Sequence, residues 1–259
     1  MPRITSRSKT YKRNFLDKVV IRFDFDRTEL GKLKDFSVIV QDDFPYQEKK
    51  DARVGGIKID LKKGEIVDNQ LQATERWEFL NPSKKKRLVI SSSFLAIEYL
   101  NRSYTSKTEL IRDCEKFAFP FFKKFDIQTL NRLGLRYVDI FDLNFIKKDF
   151  DWKKYFKLEL LGGIQFAKKK KAKLARSMNQ LELKYEREDL RFVYGVWNSD
   201  YPNENTRREF IMDLDCYSRF PLEPERDVRE AIERYNEHAE DIFESSITDA
   251  VREILNKKV

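Results

Sequence analysis

Apolar and polar positions alternate in several short runs of this chain. Residues 19–25 read VVIRFDF, with Ile21, Phe23 and Phe25 on one parity and Arg22 and Asp24 on the other, the pattern of a half-buried strand. Thr28 to Leu30 offers a weak helix start that Gly31 undercuts. Residues 53–61 alternate again, with Ile57, Ile59 and Leu61 together, and Lys62 to Glu65 reads as a turn. Over residues 70–80, Leu71, Ala73, Trp77 and Phe79 fall on one side, and Gln72, Thr74, Arg76 and Glu78 on the other. A turn from Asn81 to Lys86 leads to two further strands, 87–90 and 94–100. Connections this short predict an antiparallel meander.

The period then lengthens. Ser106-Lys107-Thr108-Glu109 is a capping box, and Leu110, Ile111, Cys114, Phe117, Ala118, Phe121, Phe122 and Phe125 follow at helical spacing. Pro120 lacks a backbone donor and predicts a kink. Residues 130–143 (LNRLGLRYVDIFDL) return as a strand. The order recurs afterwards, with a hairpin of 180–184 and 190–197 and a turn-rich loop at 198–207. A strand at 209–217 then presents Phe210, Met212, Leu214 and Cys216 on one side. Beyond Pro221 and Pro224 a long helix carries the stripe Val228, Ile232, Tyr235, Ala239, Ile242 and Phe243. Thr248 suits the N-cap of a last helix bearing Val251, Ile254 and Leu255.

These elements predict an α+β fold, a curved antiparallel sheet backed by long amphipathic helices. Each half reads as strands followed by one long helix, a two-fold structural pseudo-repeat in element order, not in residues. The expected organisation is a basic N-terminal arm at 1–14, a first α+β half at 15–147 and a second at 148–259, packed as one compact unit.

Composition sharpens this picture. The chain has 259 residues, of which 37% are charged, a figure that alone would suit disorder. Twenty-one Phe, eleven Tyr and three Trp supply the apolar area that offsets ordering entropy. The longest apolar run, 117–122, is six residues and contains Pro120, far short of the roughly 20 needed to span a membrane. The basic start has no apolar signal region. Two cysteines suit a reducing compartment, and one histidine disfavours a zinc centre. The expectation is a cytoplasmic protein with no membrane association, metal or cofactor.

The net charge of +8 is unevenly placed. Lys168, Lys169, Lys170, Lys171, Lys173 and Arg176 form a basic segment with no acid between residues 163 and 180, and Lys84, Lys85, Lys86 and Arg87 form another at a hairpin. The arm adds Arg3, Arg7, Lys9, Lys12 and Arg13, whereas residues 213–259 hold 13 acids against 7 bases. Such segments release counterions on meeting phosphate, and Phe166 and Tyr11 could stack on bases. The bland alternative is a solvated lysine run.

Two motifs carry a family resemblance. Asn131-Arg132-Leu133-Gly134-Leu135-Arg136-Tyr137-Val138 resembles the R-[IL]-G-L-R-Y-[IV] strand of a sporadically distributed family of prokaryotic proteins. Residues 238–249 resemble that family's C-terminal H-x4-F-E-x-x-I-T-D helix, with His238, Phe243, Glu244, Ile247, Thr248 and Asp249 matching. Their order and spacing fit most of the chain. Similar proteins have a proline-containing lead-in where this chain has its basic arm. The resemblance implies a cytoplasmic protein with a patchy distribution, like that of mobile or defence-associated genes. It implies no catalytic residue.

The remaining candidates are local. Arg132 and Arg136 share a strand face and could grip phosphate or carboxylate; the structural alternative pairs them with Glu75 or Glu78, with Gly134 allowing a bulge or close approach. His238 reads as a packing residue at the edge of the last long stripe, and Cys114 as core. Glu182-x-Lys184 and Asp60-x-Lys62 resemble an element of metal-dependent nucleases, a pattern that chance readily produces in so charged a chain. Gly162-Gly163 has no suitable helix after it to make a phosphate loop. The sequence therefore predicts a non-catalytic binding or scaffold protein with a protein partner. Nucleic-acid binding is the alternative, and a nuclease a distant third.

Overall fold

The computed structural model describes residues 11–12, 14–55, 58–60, 65–68, 71–146, 148–203 and 205–257, and within 51–74 it describes the backbone alone. In chain order the elements are β1 (Leu16–Asp24), α1 (Leu33–Val40), β2 (Tyr46–Gly55), β3 (Lys58–Asp60), β4 (Glu65–Asp68), β5 (Leu71–Leu80), β6 (Lys86–Ser91) and β7 (Phe94–Tyr99). There follow α2 (Lys107–Asp113), α3 (Phe119–Lys124), β8 (Arg132–Asp142), α4 (Gly162–Lys169), β9 (Ser177–Lys184), β10 (Glu188–Trp197), β11 (Glu209–Ser218), α5 (Pro224–Ser246) and α6 (Asp249–Asn256). Among the described residues, nine strands form one open sheet in the order β2-β5-β6-β7-β1-β8-β11-β10-β9, every pair antiparallel. The hairpin of β3 and β4 pairs separately. The fold is thus α+β with an antiparallel sheet, as the alternation predicts.

One face of the sheet is apolar and holds the helices. Ile21, Phe23, Leu88, Ile97, Leu133, Leu135, Phe210 and Leu214 are all within 1% of full burial there. Phe122 of α3 packs edge-on against Phe23, and Phe121 against Phe36 of α1. Phe243 of α5 stacks on Phe141 of β8, which also meets Phe156. Each such side chain contributes about 1.5–3 kcal/mol on leaving water, which explains how so charged a chain holds a core.

Local signals deviate where tertiary contacts intervene. Ser106 caps α2 by accepting from the Glu109 amide at 3.1 Å, but the Glu109 carboxylate does not reach back to Ser106. It turns to Lys86 at 2.7 Å and to the Thr105 hydroxyl instead. Pro120 does not break the helix: a π-helical turn, Cys114–Ala118, joins α2 to α3, and the Phe119 amide bonds back to Cys114. This wider turn precedes the proline and absorbs its missing donor. The weak start near Thr28 becomes a short 3-10 turn, Leu30–Lys32, that leads into α1. Gly162 and Gly163 lie within the first turn of α4, which follows a 3-10 turn and not a strand. Thr248 is the N-cap residue of α6 as expected, but its side chain makes no capping bond; its hydroxyl donates to the Lys154 carbonyl at 2.5 Å. The strand expected at 53–61 resolves into the end of β2 and into β3, with its central alternation and the turn after it outside the described residues. Most of the basic arm likewise lies outside them.

Candidate functional site

Among the described residues, the sheet face opposite the helices carries no packed layer of apolar side chains. It is a lattice of arginines and carboxylates set by register. One row crosses from β6 to β9: Arg87 opposes Glu98, and then come Val20, Arg136, Asp215, Arg191 and Glu182. In the adjoining row Arg22 opposes Gly134, which opposes Tyr217. Alternating signs across neighbouring strands make most of these ion pairs cross-strand contacts, with Arg22–Asp24 and Arg76–Glu78 pairing within a strand.

The contacts are close. Arg136 grips Asp213 through Nε at 2.7 Å and Nη2 at 2.6 Å. Arg87 meets Glu98 at 2.7 Å, and Arg191 meets Asp215 at 3.1 Å. Arg132 stretches between Asp24 and Asp215, both at 3.5 Å, with its guanidinium 4.6 Å above the Tyr217 ring. Arg22 lies 4.0 Å over Phe94. Arg132 and Arg136 therefore do pair with acids, but not with Glu75 or Glu78. β8 lies between β1 and β11, so its charges meet Asp24, Asp213 and Asp215. Glu75 meets Lys49, and Glu78, only 2% exposed, is held by Lys50, Arg76 and Arg87.

A concave pocket of about 390 Å³ forms at the centre of this face, with Lys18, Arg22, Arg76, Arg132, Arg136 and Arg191 around Val20, Val89 and Ala96. Burial lifts the Asp215 carboxyl above its ordinary range even though Arg132, Arg191 and Arg136 oppose the shift. Burial also opposes ionisation of Glu78, but Lys50, Arg87 and Arg76 outweigh it and hold that carboxyl low. The hydrogen bonds that Arg136 donates to Asp213 outweigh the cost of desolvation and keep its guanidinium firmly charged. Such an array presents fixed guanidinium donors on a preorganised floor.

The lysine segments lie elsewhere and apart. Lys84 and Lys85 are exposed at the β5–β6 hairpin, while Lys168 and Lys169 in the last turn of α4 and Lys170, Lys171 and Lys173 after it are also exposed. β6 and β9 are six strand steps apart, roughly 29 Å at about 4.8 Å per step. Lys86 is turned inward onto Glu109 at 2.7 Å and Asp113 at 2.6 Å, above the Tyr99 ring. Arg176 stacks 4.2 Å from Trp197 and 5.4 Å from Tyr201, at the β9 corner of the helix-free face.

The other candidates resolve into structure. His238 stacks on Tyr185 and meets the buried Glu188 at 3.0 Å, on the helix side. Glu182 and Lys184 are exposed on the edge strand β9, and among the described residues no group of His, Cys, Asp and Glu is arranged to hold a metal. Asp60 belongs to β3, and Lys62 lies outside the described residues. Cys114 is 1% exposed, with its thiol pushed well up by burial. Among the described residues no helix is long and apolar enough to cross a membrane.

Sequence reasoning missed Lys18, Arg22, Arg76 and Arg191 as members of one face. Their signal was the polar parity of each strand, but strand order was needed to bring them together. Comparison with known proteins gives no match to a family model, a curated protein or a solved structure.

Proposed function

We propose that this chain is a non-catalytic, cytoplasmic binding protein whose partner, another folded protein, docks on the helix-free face of the sheet. The observation that carries this reading is the charge balance of that face. Each guanidinium in the central rows already has a carboxylate beside it and still offers further donors, next to Phe94 and Tyr217. Arginine and tyrosine anchors of this kind typify protein interfaces. A nucleic acid requires a continuous track of uncompensated cations. The two lysine segments lie at opposite ends of the sheet. The second reading, local nucleic-acid contact at Lys168–Lys171 and Arg176, draws on the Arg176–Trp197 stack and on Phe166, which is 64% exposed.

The same experiment separates the two. Tagged protein is purified from its own cells as wild type, as Arg22→Glu/Arg191→Glu and as Lys169→Glu/Lys170→Glu/Lys171→Glu. The docking reading expects a stoichiometric protein partner that the arginine variant loses and the lysine variant keeps. In parallel, a fluorescent duplex and a single-stranded oligonucleotide are titrated at several salt concentrations. Salt-steep binding lost only in the lysine variant would establish the alternative.

The pseudo-repeat belongs to this proposal. The order β5-β6-β7-β1 meets β8-β11-β10-β9 as a mirrored series, each a lone strand joined by the last strand of a three-stranded meander. A helix follows each meander. Arg87–Glu98 and Arg191–Asp215 then occupy matching places on either side of β1 and β8. On this reading the repeat boundary would fall between α3 and β8, earlier than the 147/148 division expected from the sequence. We also retain the kinship with the sporadically distributed prokaryotic family, and with it a defence-associated setting, on the Arg132–Val138 and His238–Asp249 motifs.

A further inference from the structure

A second cavity lies on the opposite side of the sheet. This cleft of about 340 Å³ opens between the N-terminal segment at Tyr11 and Asn14, the start of α2 and the C-terminal half of α5. At its floor stands Asp139 of β8. The alternation that places Leu133, Leu135 and Tyr137 in the core puts this acid there too, so it is only 6% exposed. It has no hydrogen-bond or ion-pair partner among the described residues, and burial alone pushes its carboxyl up to about 7.

The groups that share the cleft with Asp139 are Tyr11, Tyr104, Lys107, Tyr137, Glu240 and Glu244. Most are already engaged. Lys107 bonds Glu233, Glu244 is held by Arg252 at 2.9 Å and by the Tyr11 hydroxyl, and Tyr137 donates to Asn236 at 3.0 Å. Glu240 is engaged as well. Asp139 is therefore the carboxyl of this cleft that has no partner among the described residues. A buried acid without a partner costs folding free energy, and an apolar residue on the same parity would avoid that cost. Its presence at the base of an open cleft points to a ligand.

We infer that this cleft binds a small organic cation, an ammonium or amidinium group on an apolar body, with Asp139 as its counterion. The three carboxylates at 139, 240 and 244 disfavour an anion, and Lys107 is turned to Glu233. Tyr104 and Tyr137, which stand edge to face at 5.9 Å, line the cleft with aromatic rings, a residue type that attracts organic cations. Leu16, Leu214 and Phe243 supply the surface for the apolar body. The inference is independent of the docking proposal, because the two sites lie on opposite faces of the sheet.

The test uses the whole protein with tyramine, benzamidine and agmatine as probes, and with neutral benzamide and anionic benzoate as controls, read by calorimetry and thermal shift at pH 8. At least one cation is expected to bind and to raise Tm, with affinity at least tenfold weaker in Asp139→Asn and unchanged in Lys34→Ala, an exposed position of α1 outside the cleft. Below Asp139's own pKa the affinity should fall about tenfold per pH unit, since the cation must displace a proton. Absence of binding by all three cations would overturn the assignment. Equal binding to Asp139→Asn, or binding of benzamide as tight as that of the cations, would overturn it too.

Discussion

The guanidinium of Arg132 occupies the space that a side chain at Gly134 would need. A Cβ at position 134 would meet Arg132 Nη1 at 2.8 Å. Glycine two residues along the same strand face thus lets Arg132 fold back over β8 toward Asp24, Asp215 and Tyr217. The obstructing atoms end a flexible side chain, so Gly134→Ala should cost less than about 1 kcal/mol in urea unfolding. It should nevertheless weaken partner binding by displacing Arg132.

Gly195 provides the contrast. Its φ is +148°, and a Cβ there would lie 1.9 Å from the Ser177 carbonyl oxygen, a backbone atom in the paired strand. Gly195→Ala should therefore cost at least about 2 kcal/mol and loosen the β9–β10 edge. Urea melts of the two alanine variants side by side check the difference.

Arg136 and Arg132 should also separate. Arg136 binds Asp213 through two short bonds, and the Asp213 side chain is 10% exposed. Removing the arginine leaves that carboxylate almost buried and alone, so Arg136→Ala should cost about 2 kcal/mol. Arg132→Ala, which breaks contacts of 3.5 Å, should cost less than about 1 kcal/mol. Equal losses in denaturant titrations would contradict this ranking.

Asp139 should give stability a distinct pH dependence. Its folded pKa of about 7 lies above the 3.8 of an ordinary aspartate. Between those values the folded chain keeps a proton that the unfolded chain has lost, so this residue's contribution falls as pH rises through the window. The total is roughly 4 kcal/mol, at about 1.36 kcal/mol per unit. Asp139→Asn removes that loss. The variant should gain on wild type from pH 4 to pH 7 and hold a constant advantage above it, as measured by chemical denaturation across that range.

Lys86 should behave unlike its neighbours. Inserted between Glu109 and Asp113, which is 4% exposed and also accepts from the Tyr99 hydroxyl at 2.6 Å, it anchors α2 to the sheet. Lys86→Met should destabilise by about 3 kcal/mol. Lys84→Ala and Lys85→Ala, at exposed positions, should stay within about 0.5 kcal/mol. Thermal melts of the three single variants suffice.

Much of the fold was readable because its signals are local. The parity of Ile21, Phe23 and Phe25 identified the buried face of β1, and that of Phe210 to Cys216 did the same for β11. The spacing of Val228, Ile232, Tyr235 and Ala239 identified the inner stripe of α5. Asp139 was also readable in principle, as a lone acid on the apolar parity of β8. Parity alone does not show whether a basic residue faces it, so its lack of a partner among the described residues was decided by the tertiary structure.

What alternation and helical period determine alone is which residues of each element face the core, since side-chain direction follows from backbone geometry within a few residues. They cannot determine which strand lies beside which. Neighbours in the sheet come from far along the chain and are chosen by packing of the whole apolar face. Strand order therefore decided that Arg132 and Arg136 meet Asp24, Asp213 and Asp215. It also set the lysine segments at opposite ends and gathered arginines from five strands onto one face. The closure of α2, α5 and the N-terminal segment over β8 decided the rest, leaving Asp139 alone at the bottom of a cleft.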